Sequence, residues 1–333
     1  LIIGELEVGS SPLARPLSHD AIHLAHPRLA VHRAPLVDRV ELREAQLQLA
    51  LSKYEALYAL DPMNRDVAMH LVRGWYFLGD GHETEKEAKL AAWETAIEWG
   101  KKCLAINTDF TGLMAKGDET EATASRAFKA DDVPCIYWTS TSLGKWAKLS
   151  GIGTTLKHLP TVKAYMTKVG ELEPTFYYDG PDRYWGAYYA AIPSFAGQDL
   201  GKSREYFDKA VGAYPNFLGT HVLLAGEWAV KKQDKATFEK ELNWVLQQPT
   251  DGIPEVKPEM EAEQRKAKAL LDQEGDTRTV PGFGDPVGVH REPAGVHLGE
   301  HDEVGSPVGR FGDPRREPGV VGRGILPDDV VLD

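Results

Sequence analysis

The sequence predicts an all-α protein of stacked antiparallel helix pairs. Three observations predict it. Apolar residues recur at helical spacing from Ala45 onward, no stretch alternates as a strand would, and X-Pro dipeptides stop the periodic runs at intervals. Leu47, Leu51, Tyr54 and Tyr58 stand at i, i+4, i+7 and i+11. Leu90, Trp93, Ile97 and Leu104 make a second stripe, and Phe217, His221, Leu224 and Trp228 a third.

Taken in order, this periodicity places helices near 42–60, 66–79, 85–106, 134–150, 157–172, 182–192, 200–213, 217–232, 235–247 and 258–273. Asp61-Pro62, Glu173-Pro174, Tyr214-Pro215 and Gln248-Pro249 supply the stops, because the residue before proline is pushed out of the α region. The acidic run Asp118-Glu119-Thr120-Glu121 and the pair Asp131-Asp132 read as a solvated loop before the next helix.

The prolines also mark a repeat. A tetratricopeptide second helix carries small, aromatic, small and proline residues at offsets 0, +4, +7 and +12. Ser203, Phe207, Ala210 and Pro215 match this pattern. Ala50, Tyr54, Leu57 and Pro62 match at three positions, and Val162, Met166, Val169 and Pro174 more loosely. Trp75-x-x-Leu78-Gly79 is the first-helix signature, its glycine allowing two helices to approach closely. The expected fold is therefore a tetratricopeptide-like array.

Composition divides the chain into three. No lysine occurs before Lys53 or after Lys268, and every Trp and Tyr lies between Tyr54 and Trp244. Residues 42–273 then form the helical domain. Residues 1–41 are a low-complexity segment interrupted by Pro12, Pro16, Pro27 and Pro35. Residues 274–333 are a Gly/Pro-rich tail with Phe-Gly-Asp-Pro at 283–286 and again at 311–314. Neither end carries enough apolar surface to offset chain entropy, so both are expected to be disordered or translated from a wrong frame.

The totals narrow the function. The formal charge is −12, which repels phosphate backbones and argues against nucleic acid. No apolar run reaches the ~20 residues that span a bilayer. Cys103 and Cys135 fit either free thiols or an oxidised compartment. No G-x-S-x-G, G-x-x-x-x-G-K-[ST], H-E-x-x-H or C-x-x-C motif occurs, so no enzymatic activity and no cofactor is expected. His19, His23 and His26 have helical spacing, but among prolines and without acidic partners they do not make a metal site, nor do His290, His297 and His301.

The candidate site is aromatic. Tyr184, Trp185, Tyr188 and Tyr189 surround one short helix, preceded by Tyr177 and Tyr178. That is more aromatic surface than one helix face buries, which fits a groove or pore wall receiving an apolar or amphipathic ligand. Packing against neighbouring repeats is the structural alternative. Trp138 and Trp146, two turns apart, are read as sharing a face, with Lys145 beside them placed to meet a carboxylate or else solvated. In Gly180-Pro181-Asp182-Arg183, Asp182 reads as a helix cap and Arg183 as a surface residue, or as a fork for a carboxylate.

Two stretches carry a family resemblance: Cys135-Ile-Tyr-Trp with Leu143-Gly-Lys-Trp-Ala147, and Tyr184-Trp-Gly-Ala-Tyr-Tyr-Ala-Ala-Ile-Pro193 followed by Gly197-Gln-Asp-Leu-Gly-Lys-Ser203-Arg-Glu-Tyr-Phe207. Over about residues 45–273 the chain resembles the T component (TatT family) of tetratricopeptide-repeat-associated TRAP transporters, the tripartite ATP-independent periplasmic systems. The family's Gly-Gly-Asp appears as Gly197-Gln198-Asp199, and no leader or lipid-bearing cysteine is visible in the chain. The resemblance implies a periplasmic, lipid-anchored, non-enzymatic trimer. It implies a solute-binding P component as partner and a small, hydrophobic ligand to hand over. The rival expectation is a cytoplasmic tetratricopeptide adaptor that binds peptides or helices of a partner.

Overall fold

The computed structural model describes residues 36–275, and all described elements are helical. The expectations for the two low-complexity ends, and for the histidines within them, fall outside the described residues.

The chain begins with α1 (Leu36–Leu60), followed by α2 (Arg65–Phe77) and α3 (Lys86–Ala105). The helix α1 starts six residues ahead of the boundary expected near 42, because the apolar stripe reports burial and not the helix itself. Asn64 caps α2 by accepting from the Val67 N–H at 3.1 Å. Short helices α4 (Thr108–Met114) and α5 (Glu121–Ala124) then occupy the stretch read as loop. They escaped the periodicity because neither has two full turns of apolar stripe, although Asn107 and Thr120 cap them. The acidic pair there is not all solvated. Asp132 is buried, accepts from Asn107 Nδ2 at 2.6 Å and the Lys129 N–H at 2.9 Å, and meets Arg65 at 3.0 Å.

Next come α6 (Val133–Ser150), α7 (Ile152–Leu172), α8 (Phe176–Ala191) and α9 (Leu200–Ala213). The last part holds α10 (Leu218–Leu223), α11 (Val230–Lys232), α12 (Lys235–Gln247) and α13 (Lys257–Gly275). Consecutive long helices pack on one another in chain order, α1 on α2, α2 on α3, α3 on α6, then α6 on α7 through α9. The short connections make neighbours antiparallel. Several positions of the repeat pattern are buried. Ser203, Phe207 and Ala210 are buried, as are Val162, Met166 and Val169. Gly79 lies against the Trp93 indole, where a Cβ would come within 2.7 Å of Nε1. In α1, by contrast, Leu57 is exposed.

Two departures from regular helix position the interior. Leu78–His82 and Leu224–Ala229 are π-helical turns, the first running past the helix end expected near 79 and the second set inside the helix expected over 217–232. A π turn adds a residue to the turn and displaces the side chains on it, and such turns gather at functional sites. The second departure is closure. The helix α13 returns to the first helices through Arg73–Glu259 at 2.6 Å, Lys266–Asp80 at 2.5 Å and an Arg43–Glu261 pair. Arg265 also donates to the Gly81 carbonyl at 2.8 Å, and Ala262 joins the core of Leu47, Leu51 and Leu71. The helices thus enclose an interior.

Cys103 of α3 and Cys135 of α6 form a disulfide between two fully buried positions.

Candidate functional site

The interior is a cavity of two adjoining chambers. The first, about 390 Å3, lies among α2, α10, the second π turn and α13. The second, about 330 Å3, lies among α6, α7 and α8. Six residues line both and mark the constriction between them: Tyr76, Tyr137, Lys145, Arg183, Leu223 and Glu227.

The two chambers differ in chemistry. Much of the wall of the second is apolar or aromatic, with Val162, Tyr184, Ala187, Tyr188 and Ile192, and Ile152, 52% exposed, stands at its rim. The first holds most of the charge. Asp80 takes Lys145 at 2.6 Å and Lys266 at 2.5 Å, and Lys266 also reaches Glu263 at 2.7 Å. Burial pushes the Asp80 carboxyl upward, but the two ammonium groups outweigh it and hold it well below the usual carboxylate range. Burial opposes the charge on Lys145 and Lys266 as well, and Asp80 raises both.

Each π turn delivers a carboxylate to α6. The first brings Asp80 to Lys145. The second brings Glu227 to Lys148, which donates to its two oxygens at 2.5 and 2.6 Å. These two clamps tie α2 and the α10–α11 segment to consecutive turns of one helix across the cavity.

A left-handed turn shapes the constriction. Tyr177, Tyr178 and Asp179 have φ of 49°, 56° and 59°, three consecutive non-glycine residues in a region that costs roughly 1–3 kcal/mol each. Arg183 holds them, donating to the Tyr177 carbonyl at 3.0 Å, the Tyr178 carbonyl at 2.8 Å and the Tyr137 hydroxyl at 3.1 Å. Gly180 follows because the turn sits on the Tyr137 ring, where a Cβ would lie 2.7 Å away. The turn sends Tyr177 into the first chamber, edge-on to Trp138 with centroids 4.7 Å apart, and stacks Tyr178 on Phe217. Burial pushes the Tyr177 and Tyr184 phenols well above the usual tyrosine range, so both stay protonated as donors.

The sequence candidates fall in different places. Trp138, Lys145, Arg183, Tyr184 and Tyr188 line the cavity. Trp185 and Tyr189 do not. They pack together and against Tyr206, with Tyr189 stacked on Tyr206 at 5.8 Å. Trp146 lies apart from Trp138, edge-on to His158, while Trp138 meets Tyr76 and Tyr177. The shared-face reading fails because eight residues leave an offset of about 80° around a helix. Arg183 is not a surface residue: it is 5% exposed. Asp182 lies in the first turn of the right-handed helix that follows the left-handed residues 177–179, as the macrodipole reading requires.

Sequence reasoning missed Asp80, Lys266, Tyr137 and Glu227. Gly79-Asp80-Gly81, an acid between two glycines at a helix end, was the available signal for the first. Lys266 sits on a polar helix and gives none.

Among the described residues no group of His, Cys, Asp and Glu is placed to hold a metal ion, and no helix is long and apolar enough to cross a membrane. The class is thus an all-α protein whose helices close around a two-chambered interior. The family follows from comparison. The chain matches the model of the TRAP transporter T-component over residues 38–277 and belongs to that family. It is an accessory component of a TRAP transporter by that membership. No curated protein matches the chain.

Proposed function

We propose that this chain acts without covalent chemistry, taking a small ligand into its two-chambered interior and passing it to the solute-binding P component of its transporter. The observation that carries the reading is the aromatic second chamber, whose volume falls in the range of small-molecule sites. Trp138, Lys145, Arg183, Tyr184 and Tyr188 are the ligand-contacting residues in this reading. Trp146, Trp185 and Tyr189 support the wall from behind. A periplasmic site of action is part of the proposal, and the buried Cys103–Cys135 disulfide supports it, since such bonds persist in oxidising compartments. So are a lipid anchor on the intact protein and a homotrimer that presents one face to the partner.

Filling the second chamber tests the proposal. Ala187→Trp places an indole on its wall. Uptake of the fluorescent apolar probe N-phenyl-1-naphthylamine is expected to fall at least tenfold, with the helical circular-dichroism spectrum retained. Undiminished uptake by a folded variant would remove the chamber as the binding site. Light scattering on the full chain checks the assembly, for which three chain masses are expected.

A further inference from the structure

The constriction holds a buried cation that makes no ion pair among the described residues. Of its three charged residues, Lys145 is matched by Asp80 and Glu227 by Lys148. Arg183 has no carboxylate within 4.0 Å among the described residues. Its partners are two carbonyls, the Tyr137 hydroxyl and the faces of Phe217 and Tyr177, with the guanidinium carbon 4.3 and 5.8 Å from their centroids. A guanidinium has five N–H donors. Three bonds are made, which leaves two unspent on a side chain only 5% exposed that borders both chambers. Asp179, itself buried, feels this charge but makes no ion pair with it. A buried cation without a directly paired carboxylate is costly, and an anion arriving there recovers part of that cost.

On one side of this cation lies the apolar chamber. At roughly 30 Å3 for each non-hydrogen atom, its 330 Å3 holds a chain on the order of ten carbons. We infer that the ligand is an amphipathic monoanion, a medium-chain carboxylate, whose head accepts from Arg183 and Lys145 at the constriction. Its tail lies along Val162, Tyr184, Ala187, Tyr188 and Ile192. The inference rests on the reading of the interior as a ligand site and adds the polarity and direction of the ligand. A neutral lipid leaves Arg183 unmatched, and a cation is repelled by it. A short acid leaves the chamber unfilled.

Calorimetric titration of the full chain with decanoate, decanol, decyltrimethylammonium and acetate tests this. Decanoate is expected to bind at least tenfold tighter than each of the other three. Arg183→Met should erase its advantage over decanol while decanol itself still binds. Because Arg183 also holds the left-handed turn, Lys145→Met is the second variant. It should lower the advantage several-fold with the turn intact. Equal binding of decanol and decanoate, tight binding of the cation, or an advantage that survives both substitutions would overturn the anionic ligand and leave the chamber as a site. If none of the ten-carbon probes binds, the ligand-site reading fails and this inference falls with it.

Discussion

The two clamps on α6 use the same backbone device and differ in burial. Asp80, with 13% of its side chain exposed, holds two lysines, one from α6 and one from α13. Glu227 is 23% exposed and holds one, Lys148, which is itself 51% exposed. Removing one partner of a buried pair strands the other charge away from water. An exposed pair gains little over its hydrated components. The first clamp should therefore be structural, fastening α13 to α2 and α6, and the second a tie that opens at little cost.

The largest expected effect follows from Asp80→Asn. It strips Lys145 of its carboxylate and leaves Lys266 with Glu263 alone, and a loss of about 3 kcal/mol is expected in urea denaturation. The pH dependence has the same origin and a definite sign. The Asp80 carboxyl is depressed in the folded state, so its contribution is complete above the ordinary carboxylate range and is lost as pH falls below it. Asp80→Asn should flatten the acid limb of the stability curve below about pH 4. An unchanged acid limb, or a cost no larger than that at Glu227, would remove the distinction between the clamps.

The disulfide sharpens the comparison, because it fixes the opposite end of the same helix. Cys135 lies in the first turn of α6, and Lys145 and Lys148 lie in the last two. Closing a loop between residues 32 apart contributes about 3–4 kcal/mol by chain entropy. Cys103→Ala with Cys135→Ala is expected to lower stability by about that amount while leaving the acid limb unchanged. An altered acid limb in this variant would mean that the position of α6 at Cys135 sets the Asp80 clamp.

The sequence made the exterior of this fold legible and the interior only in part. Stripes such as Phe217–Trp228 locate helices because burial on one face repeats every 3.6 residues. The same stripe cannot report the π turn at Leu224–Ala229, where apolar spacing continues while the hydrogen-bond register changes. The closure by α13 was equally silent. It is made by Glu259, Glu261, Arg265 and Lys266, which on a polar helix read as solvated charge. At the cavity, Tyr184 and Tyr188 were findable from aromatic density alone. Arg183 reads as a surface residue or a carboxylate fork, but its burial was not legible, because it depends on three left-handed residues that no propensity favours outside Asp179. Trp185 and Tyr189 belong to the same aromatic run yet face Tyr206, so density identifies the helix and leaves its rotation open.

The smallest expected effect is at the second clamp. Glu227→Gln removes a charge that borders both chambers and frees Lys148, whose side chain already reaches solvent. A stability change below about 1 kcal/mol is expected, since exposed pairs rarely contribute more. The consequence for access is separate from stability. This tie joins the α10–α11 segment to α6 across the constriction, so releasing it should speed entry of N-phenyl-1-naphthylamine into the second chamber, read by stopped-flow fluorescence. Faster uptake at nearly unchanged stability would make Glu227–Lys148 the opening element of the interior. A large stability loss with unchanged uptake would make it a second structural clamp and erase the asymmetry with Asp80.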